Sequence, residues 1–242
     1  MPAVFVHGVP DTARIWGPLL ARLQRKDTIC LNLPGFGGKR PAGFSPDKDS
    51  YAAWLVSELQ RIDGPIDLVG HDWGSLLVTR VVSIAPDLVR SWCGGGGPLD
   101  PSYVWHDTAQ IWQTPGRGEE LMQMMTPEVM APGLVAQGLS EDLARETAVG
   151  LDDEMKTCIL ALYRSATRVA DEWCGDLAKV KAPGLLLWGE NDPYASVEIG
   201  ERLARNVKAR FQVVRGAGHW YQAQQPEFVA RQLEAFWASV PG

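Results

Sequence analysis

The sequence has few cysteines, and nothing in their arrangement marks a metal site or a disulfide framework. Only four of the 242 residues are cysteine, and none stands in a C-x-x-C pair. The first residues also lack the basic segment and the long apolar stretch of a signal peptide. We therefore expect a cytoplasmic protein with reduced thiols.

Basic clusters and long apolar runs are equally scarce. The 23 lysines and arginines are outnumbered by 29 acidic residues, which gives a net charge of −6, and no basic block could neutralise phosphates. Apolar runs stop far short of the roughly 18 residues that suggest a membrane span. Neither nucleic acid nor membrane is therefore expected as a partner, and the oligomeric state stays open.

What the sequence does contain is an alternation of short apolar runs with longer helical patterns, which is typical of parallel strands joined by helices. The predicted strands are 3–6, 28–33, 66–69, 89–93, 184–188 and 211–214, and the clearest predicted helices are 51–62, 75–84, 197–206 and 227–238. The sequence therefore predicts the α/β class, with a mostly parallel sheet flanked by helices.

Residues 98–181 break this alternation. They contain no convincing strand and several helical stretches separated by Pro-Gly and Thr-Pro steps. We therefore predict an α/β core domain built from residues 1–97 and 182–242, with a helical cap inserted as residues 98–181.

The residues that follow each predicted strand hold the candidate chemistry, because ligands bind at the carboxyl ends of the strands in such sheets. After the third strand, residues 70–74 read Gly-His-Asp-Trp-Gly, and the two glycines permit a sharp strand-to-helix turn that projects Asp72. Asp192 and His219 follow the fifth and sixth strands. This chain order of nucleophile, acid and histidine is typical of a hydrolytic catalytic triad.

A fourth segment follows the first strand, where residues 7–10 read His-Gly-Val-Pro. This segment brings the Val9 backbone N–H near the turn, opposite the Trp73 N–H. Two such donors form an oxyanion hole.

These motifs resemble the α/β-hydrolase superfamily, and within it the branch of epoxide hydrolases and dehalogenases, over nearly the whole chain. Residues 7–10, followed by Trp16, are similar to the H-G-x-P oxyanion segment of that branch, and residues 70–74 to its G-H-D-W-G turn. Residues 218–222, with Pro226, are similar to the G-H-W-x-Q segment of epoxide hydrolases. The resemblance implies the α/β-hydrolase fold with a helical cap. Since the first predicted strand begins near residue 1, we expect the two strands that usually precede it to be missing.

Aspartate instead of serine at position 72 indicates the type of chemistry. A serine must lose a proton before it attacks, whereas a carboxylate with a pKa near 4 is already charged at neutral pH. It is suited to displacement at a saturated carbon, which leaves an alkyl ester on Asp72. His219, oriented by Asp192, would then activate water to hydrolyse the ester. No cofactor is expected because water supplies the oxygen, and the expected substrate is a small apolar or amphipathic organic molecule.

The resemblance implies an epoxide hydrolase as the first hypothesis, in which two cap tyrosines act as acids on the opening ring. Residues 162–164, Leu-Tyr-Arg, resemble the segment that carries one of them, so Tyr163 is the predicted acid and substrate contact. Thr108 stands at the position of the other tyrosine, and Tyr103 is the candidate replacement.

Haloalkane dehalogenation is the alternative. Trp73 would then donate its indole N–H to the halide, and a second donor would come from the predicted cap, where the candidates are Trp105, Trp112 and Trp173.

Weaker interpretations also stay open. A β-lactone hydrolase, or a ligand-binding receptor on the same fold without turnover, fits the same motifs. Asp100 is a reserve candidate for the acid that orients the histidine, and His106 is interpreted as a surface histidine and not a ligand.

Overall fold

The structure is a computed structural model that describes residues 1–241, and its centre is a six-stranded parallel sheet of order β2-β1-β3-β4-β5-β6. The strands are β1 (Ala3–Val6), β2 (Thr28–Leu31), β3 (Ile66–Gly70), β4 (Val89–Gly94), β5 (Gly184–Gly189) and β6 (Arg210–Val214). Every neighbouring pair is parallel. The predicted α/β class and all six predicted strands are confirmed.

The inner strands β1, β3 and β5 are buried along their whole length, whereas the edge strands β2 and β6 are partly exposed. Strands covered on both faces are made of nearly continuous apolar runs instead of alternating ones. This explains why short apolar runs were sufficient to locate them.

Twelve α-helices accompany the sheet in the described part of the chain. They are α1 (Gly17–Leu20), α2 (Lys48–Leu59), α3 (Trp73–Ile84), α4 (Asp107–Gln113), α5 (Arg117–Met124), α6 (Pro127–Ala136), α7 (Glu141–Gly150), α8 (Asp153–Ser165), α9 (Val169–Trp173), α10 (Val197–Val207), α11 (Tyr221–Gln224) and α12 (Pro226–Ser239). Helices α2, α3, α10 and α12 are the four predicted from the sequence. Helix α2 packs on α3 and α10 packs on β5 and β6, while α1 packs on α11 and α12.

Helices α4–α9, here called the inserted helices, form the connection between β4 and β5, together with a short 3-10 helix at Cys174–Lys179. Polar side chains define where several of them begin. Ser140 accepts the Leu143 N–H at the start of α7, and Asp152 accepts the Met155 N–H at the start of α8. Within the described residues this connection contributes no strand to the sheet.

Strand β3 carries a fully buried carboxylate near its start. Asp67 accepts hydrogen bonds from Arg25 at 2.9 Å, from the Nε and Nη2 of Arg90 at 2.9 and 2.8 Å, and from the Ser91 hydroxyl at 2.6 Å. Two cations and a hydroxyl therefore compensate the cost of burying this charge.

Candidate active site

Asp72 lies in the turn between β3 and α3 with φ = 52° and ψ = −123°. A positive φ is strained for any residue other than glycine, so the surrounding contacts must hold it. The Asp72 N–H donates to the Gly95 carbonyl at 2.9 Å, and its carbonyl accepts the Ser75 N–H at 2.8 Å. A side chain on Gly70 would collide with the Gly74 carbonyl, and one on Gly74 with the Val6 carbonyl. The two glycines of the motif are therefore needed for close packing, and the turn projects the Asp72 carboxylate outwards.

Backbone N–H groups act on this carboxylate. The Val9 N–H donates to Asp72 Oδ2 at 2.7 Å, and the Trp73 N–H is a further donor to the same carboxylate. A Cβ on Gly8 would overlap the Asp72 side chain, so only glycine allows this approach. The structure thus places the predicted oxyanion donors where negative charge on this oxygen would be stabilised.

His219 lies on the other side of the carboxylate. Its Nδ1 is 2.9 Å from Asp192 Oδ2, and its Nε2 is 3.8 Å from Asp72 Oδ1. The other Asp192 oxygen accepts the backbone N–H groups of Tyr194 at 2.9 Å and Ala195 at 3.2 Å, which fixes the carboxylate. With Nδ1–H donated to Asp192, Nε2 is the nitrogen that faces the reacting side. The separation of 3.8 Å exceeds a hydrogen bond, so Asp72 Oδ1 is not tied to the ring.

The charges of these groups shift their pKa values. Burial lowers the pKa of His219, but the charge and hydrogen bond of Asp192 and the charges of Asp72 and Asp11 outweigh it and raise this pKa to about 9. Burial also raises the pKa of Asp72, against the opposing effects of the His219 charge and the two backbone donors. The acidic neighbours of His219 therefore favour its protonated form in the resting site, with Nε2 facing Asp72.

A second histidine joins the turn to the His219 loop. The His71 Nε2 lies 2.9 Å from the His219 carbonyl, and the two rings are 4.7 Å apart. Burial keeps the pKa of His71 well below its usual value, so the ring is neutral and Nε2–H donates. His71 therefore links the positions of the two predicted catalytic residues.

A cavity of about 310 Å³ opens over these groups, lined by Asp72, Val9 and His219 on the sheet side and by the inserted helices on the other. Among the described residues that line it, none is lysine or arginine. Its aromatic walls are Tyr103, Trp105, Trp112, Tyr163, Tyr194 and Trp220. Such a cavity is suited to an uncharged and largely apolar ligand.

Of the predicted substrate contacts, Tyr163 lines this cavity, whereas Trp73 packs against its wall without lining it. Tyr163 is buried in the wall, with its ring 5.5 Å from that of Trp73, and Trp73 stacks on Trp105 at 6.0 Å. Tyr103 also lines the cavity, and its hydroxyl donates to the Tyr194 carbonyl at 3.0 Å. Thr108 belongs to the wall as well.

Three sequence interpretations are wrong. Asp100 does not orient the histidine, because it pairs with Arg202 at 2.9 Å and with the Ser102 hydroxyl at 2.6 Å. Trp173 is no candidate halide donor, since its indole N–H donates to Asp49 at 3.0 Å outside the cavity. His106 is a cavity-lining residue instead of a surface histidine, and burial lowers its pKa to about 4.

Sequence reasoning missed two aromatic neighbours of His219. Tyr194 lies with its ring 4.9 Å from the His219 ring and donates its hydroxyl to Gln137 at 2.7 Å, and Trp220 lies 5.1 Å from the same ring. Their places in the chain were a usable signal, because Tyr194 stands two residues after Asp192 and Trp220 directly after His219.

Comparison with known proteins places the chain in a family. The family model described as alpha/beta hydrolase family matches residues 3–232. The chain belongs to this family. The similar structures include a haloalkane dehalogenase loop variant from Bradyrhizobium elkanii, with a TM-score of 0.76 at 20% identity over 98% of this hydrolase and 89% of that chain. At this identity the likeness shows the fold alone.

The curated relatives of this alpha/beta hydrolase carry several activities. The (E)-2-((N-methylformamido)methylene)succinate hydrolase of Acinetobacter baylyi is 24% identical over 99% of this chain and 91% of its own length. Two mammalian proteins named Epoxide hydrolase 4 match over 96% of this chain, at 41% identity for that of Homo sapiens and 25% for that of Mus musculus, and cover 71% and 72% of their lengths. Because these two identities differ widely, the assignment of the chain to the alpha/beta hydrolase family rests on the family model and not on these relatives.

Residues 1–241 of the hydrolase show neither a membrane-spanning helix nor a cluster of metal ligands. The described helices include none long and apolar enough to cross a membrane. The same residues contain no group of three or more histidine, cysteine, aspartate or glutamate side chains placed to hold a metal ion.

Proposed function

We propose that this hydrolase opens epoxides with water through an alkyl ester on Asp72. One observation carries the proposal: a carboxylate, and not a hydroxyl, occupies the strained turn, with Oδ2 held by the Val9 N–H and Oδ1 facing His219 Nε2 at 3.8 Å. This carboxylate needs no base to become a nucleophile.

In the first step, Asp72 Oδ1 forms a bond to an epoxide carbon while the bond from that carbon to the ring oxygen breaks. The departing oxygen takes a proton from the Tyr163 hydroxyl. Burial raises the pKa of Tyr163 well above its usual value, so this phenol is protonated at neutral pH. Its place in the cavity wall, next to Trp73, supports its role as the acid.

In the second step, His219 Nε2 removes a proton from water, and the resulting hydroxide attacks the ester carbonyl carbon of Asp72. The tetrahedral oxyanion forms on Oδ2, which the Val9 N–H holds at 2.7 Å, and the Trp73 N–H is the proposed second donor. Before water is deprotonated, the resting proton of His219 passes to the Tyr163 phenolate. Collapse then releases the diol, restores the carboxylate and leaves His219 with the proton taken from water, as at the start.

The change of charge at Asp72 couples the two steps. Ester formation removes the negative charge of Asp72, which is one cause of the raised pKa of His219. The pKa of His219 therefore falls in the ester, and the ring becomes available as a neutral base when it is needed.

The cavity supports an uncharged substrate. Its described lining has no lysine or arginine to pair with a carboxylate, and the Asp72 charge at its base disfavours anions. Neutral aryl or alkyl epoxides fit it better than dicarboxylates do.

Haloalkane dehalogenation is the second candidate, and the tryptophans of the site favour it. The Trp73 indole packs against both Trp105 and Tyr163, and the buried Trp112 Nε1 has no hydrogen-bond partner among the described residues. Trp105 and Trp112 line the cavity and are the candidate indole donors to a halide. The Tyr103 hydroxyl also favours dehalogenation over epoxide opening. Its proton is already donated to the Tyr194 carbonyl, so it is not free to act as the second acid on an epoxide.

Intact-mass spectrometry of the His219→Gln variant tests the proposal. The variant is incubated with neutral epoxides, 1-haloalkanes and β-lactones, and the modified peptide is mapped. We expect a gain of the whole epoxide mass on the peptide that contains Asp72, and none in the Asp72→Asn/His219→Gln double variant. A gain of the alkyl group without halogen would support dehalogenation. If wild type turns over a compound that never adds mass, the ester mechanism is wrong, and stoichiometric binding without product would indicate a receptor.

Tyr163→Phe separates the two candidates. Loss of the acid slows ester formation from an epoxide by about 100-fold but leaves a haloalkane reaction nearly unchanged. Tyr51→Phe is the matched control, because the Tyr51 hydroxyl donates to the Pro34 carbonyl away from the cavity. An unchanged epoxide rate in Tyr163→Phe would remove this residue from the mechanism.

A further inference from the structure

Asp11 is a fully buried carboxylate that the proposed reaction does not use. Its Oδ2 accepts the Trp220 indole N–H at 2.9 Å, and its Oδ1 lies 3.5 Å from the Thr147 hydroxyl of helix α7. Its own backbone N–H donates to the Gly8 carbonyl at 3.1 Å. Asp11 therefore touches the His219 loop, an inserted helix and the oxyanion segment at once.

The neighbours of Asp11 differ from those of a carboxylate buried for stability. Asp67 faces two arginines, whereas both hydrogen bonds to Asp11 come from neutral donors, and the charged groups that act on it are Asp72 and His219. Burial accordingly raises the pKa of Asp11 to about 7. Glu146 of α7 lies in the same region but pairs with Arg14 at 3.1 Å. A poorly compensated buried acid beside a reactive centre points to a role in the site.

Trp220 connects Asp11 to His219. The indole stands edge-on to the His219 ring, with centroids 5.1 Å apart and planes at 86°, so the indole limits how the imidazole can tilt. The hydrogen bond to Asp11 fixes the indole in turn.

We propose that Asp11 is a positioning residue for His219: its carboxylate holds the Trp220 indole, and the indole holds the imidazole in line with Asp72. The consequence for turnover rests on the proposed function, since His219 is the base of ester hydrolysis there. Ester formation, in which Asp72 attacks, needs this alignment far less.

Step-resolved kinetics of the full chain test the proposal. With an epoxide that modifies His219→Gln, rapid quenching followed by mass spectrometry gives the rates of ester formation and ester hydrolysis in wild type and variants. Asp11→Ala and Trp220→Phe are each expected to slow ester hydrolysis by about 10- to 100-fold and ester formation by less than about threefold.

The conservative variant and a matched control complete the kinetic test. Asp11→Asn keeps an oxygen that accepts the Trp220 N–H and should stay within about threefold of wild type. Trp237→Phe removes an indole N–H that has no partner among the described residues, and both of its rates should match wild type. If Asp11→Asn is as slow as Asp11→Ala, or if Trp220→Phe hydrolyses the ester at the wild-type rate, the proposal is wrong.

A proton NMR measurement on the resting enzyme keeps this proposal separate from the proposed function. The His219 Nδ1 proton, hydrogen-bonded to Asp192 at 2.9 Å, should resonate downfield and disappear in His219→Gln. We expect faster exchange of this proton with water in Asp11→Ala and Trp220→Phe, but not in Asp11→Asn. If no variant forms an ester, the proposed function fails, but the exchange rate of this proton still tests the role of Asp11. A Trp220→Phe variant whose Nδ1 proton exchanges at the wild-type rate would overturn that role.

Discussion

An aspartate lies near each end of strand β3, and the two carboxylates differ in how many hydrogen-bond donors surround them. Asp67, near the start, accepts hydrogen bonds from Arg25, Arg90 and Ser91 and is buried completely. Asp72, just past the end, has backbone N–H groups on one side and a histidine at 3.8 Å on the other. Both oxygens of Asp67 thus accept strong hydrogen bonds, whereas Oδ1 of Asp72 has no close hydrogen-bond donor.

The difference follows from position along parallel strands. The amino ends are far from the inserted helices, and a buried charge there can only contribute to stability if cations surround it. At the carboxyl ends the loops converge, and the cavity opens there. An oxygen that has no strong partner in the resting state is costly for folding but available for reaction.

Asp72→Asn should have the largest effect. The amide is not a nucleophile, so we expect turnover to fall by about 10⁴-fold or more while the free energy of unfolding stays the same or rises. Steady-state rates on a confirmed substrate, together with urea denaturation, check both parts. An active Asp72→Asn protein, verified by mass to be free of deamidation, would contradict the proposed role.

Asp67→Asn should lower the free energy of unfolding and leave turnover unchanged. It leaves Arg25 and Arg90 without their common counter-charge, and breaking a buried pair of this kind costs about 3 to 5 kcal/mol of unfolding free energy. Urea denaturation measures the loss. The rate constant per folded molecule should be unchanged, and a variant as stable as wild type would show that the arginines find other partners.

The pH dependence of stability should report the ion pair at the reactive end. The pKa of His219 is about 9 in the folded protein and 6.5 as its ordinary value, so protonation stabilises the folded state fully below about pH 6.5. That contribution, on the order of 3 kcal/mol, is lost as the pH rises through 9. The measurement is urea denaturation between pH 6 and 10. His219→Gln should lack this decline, and an equal decline in the variant would assign it to other groups.

Ser91→Ala should have the smallest effect. It removes the hydroxyl that donates to Asp67 at 2.6 Å but leaves both arginines in place, so a loss of about 1 kcal/mol is expected. Denaturation is the measurement and the kinetic constants are the control. A loss as large as that of Asp67→Asn would show that the hydroxyl, and not the arginines, stabilises the carboxylate.

Much of this arrangement can be predicted from the sequence, because the information is local. The strands are buried apolar runs, and the turn at 70–74 depends on glycines within five residues. The residues after β1, β3, β5 and β6 converge because parallel strands end at one edge of the sheet. The structure brings Val9, Asp72, Asp192 and His219 together in this way.

The partners of the inserted helices are not local, and there the sequence predictions were less accurate. Asp100 and Arg202 are 102 positions apart, and Trp173 and Asp49 are separated by 124. Nothing in the sequence near either residue reveals such a contact. Asp11 and Trp220, 209 positions apart, were missed for the same reason.

The connection between β4 and β5 also has a consequence for how such a gene can diversify. Val9, Asp72, Asp192 and His219 are encoded outside it, while most of the cavity wall is encoded within one uninterrupted stretch. Recombination at its two borders would exchange most of the cavity wall in a single event and keep the proposed nucleophile and base, Asp72 and His219. Such chimaeras would need to keep Tyr163 as the acid, and they would test how freely substrate range can be grafted onto one reactive centre.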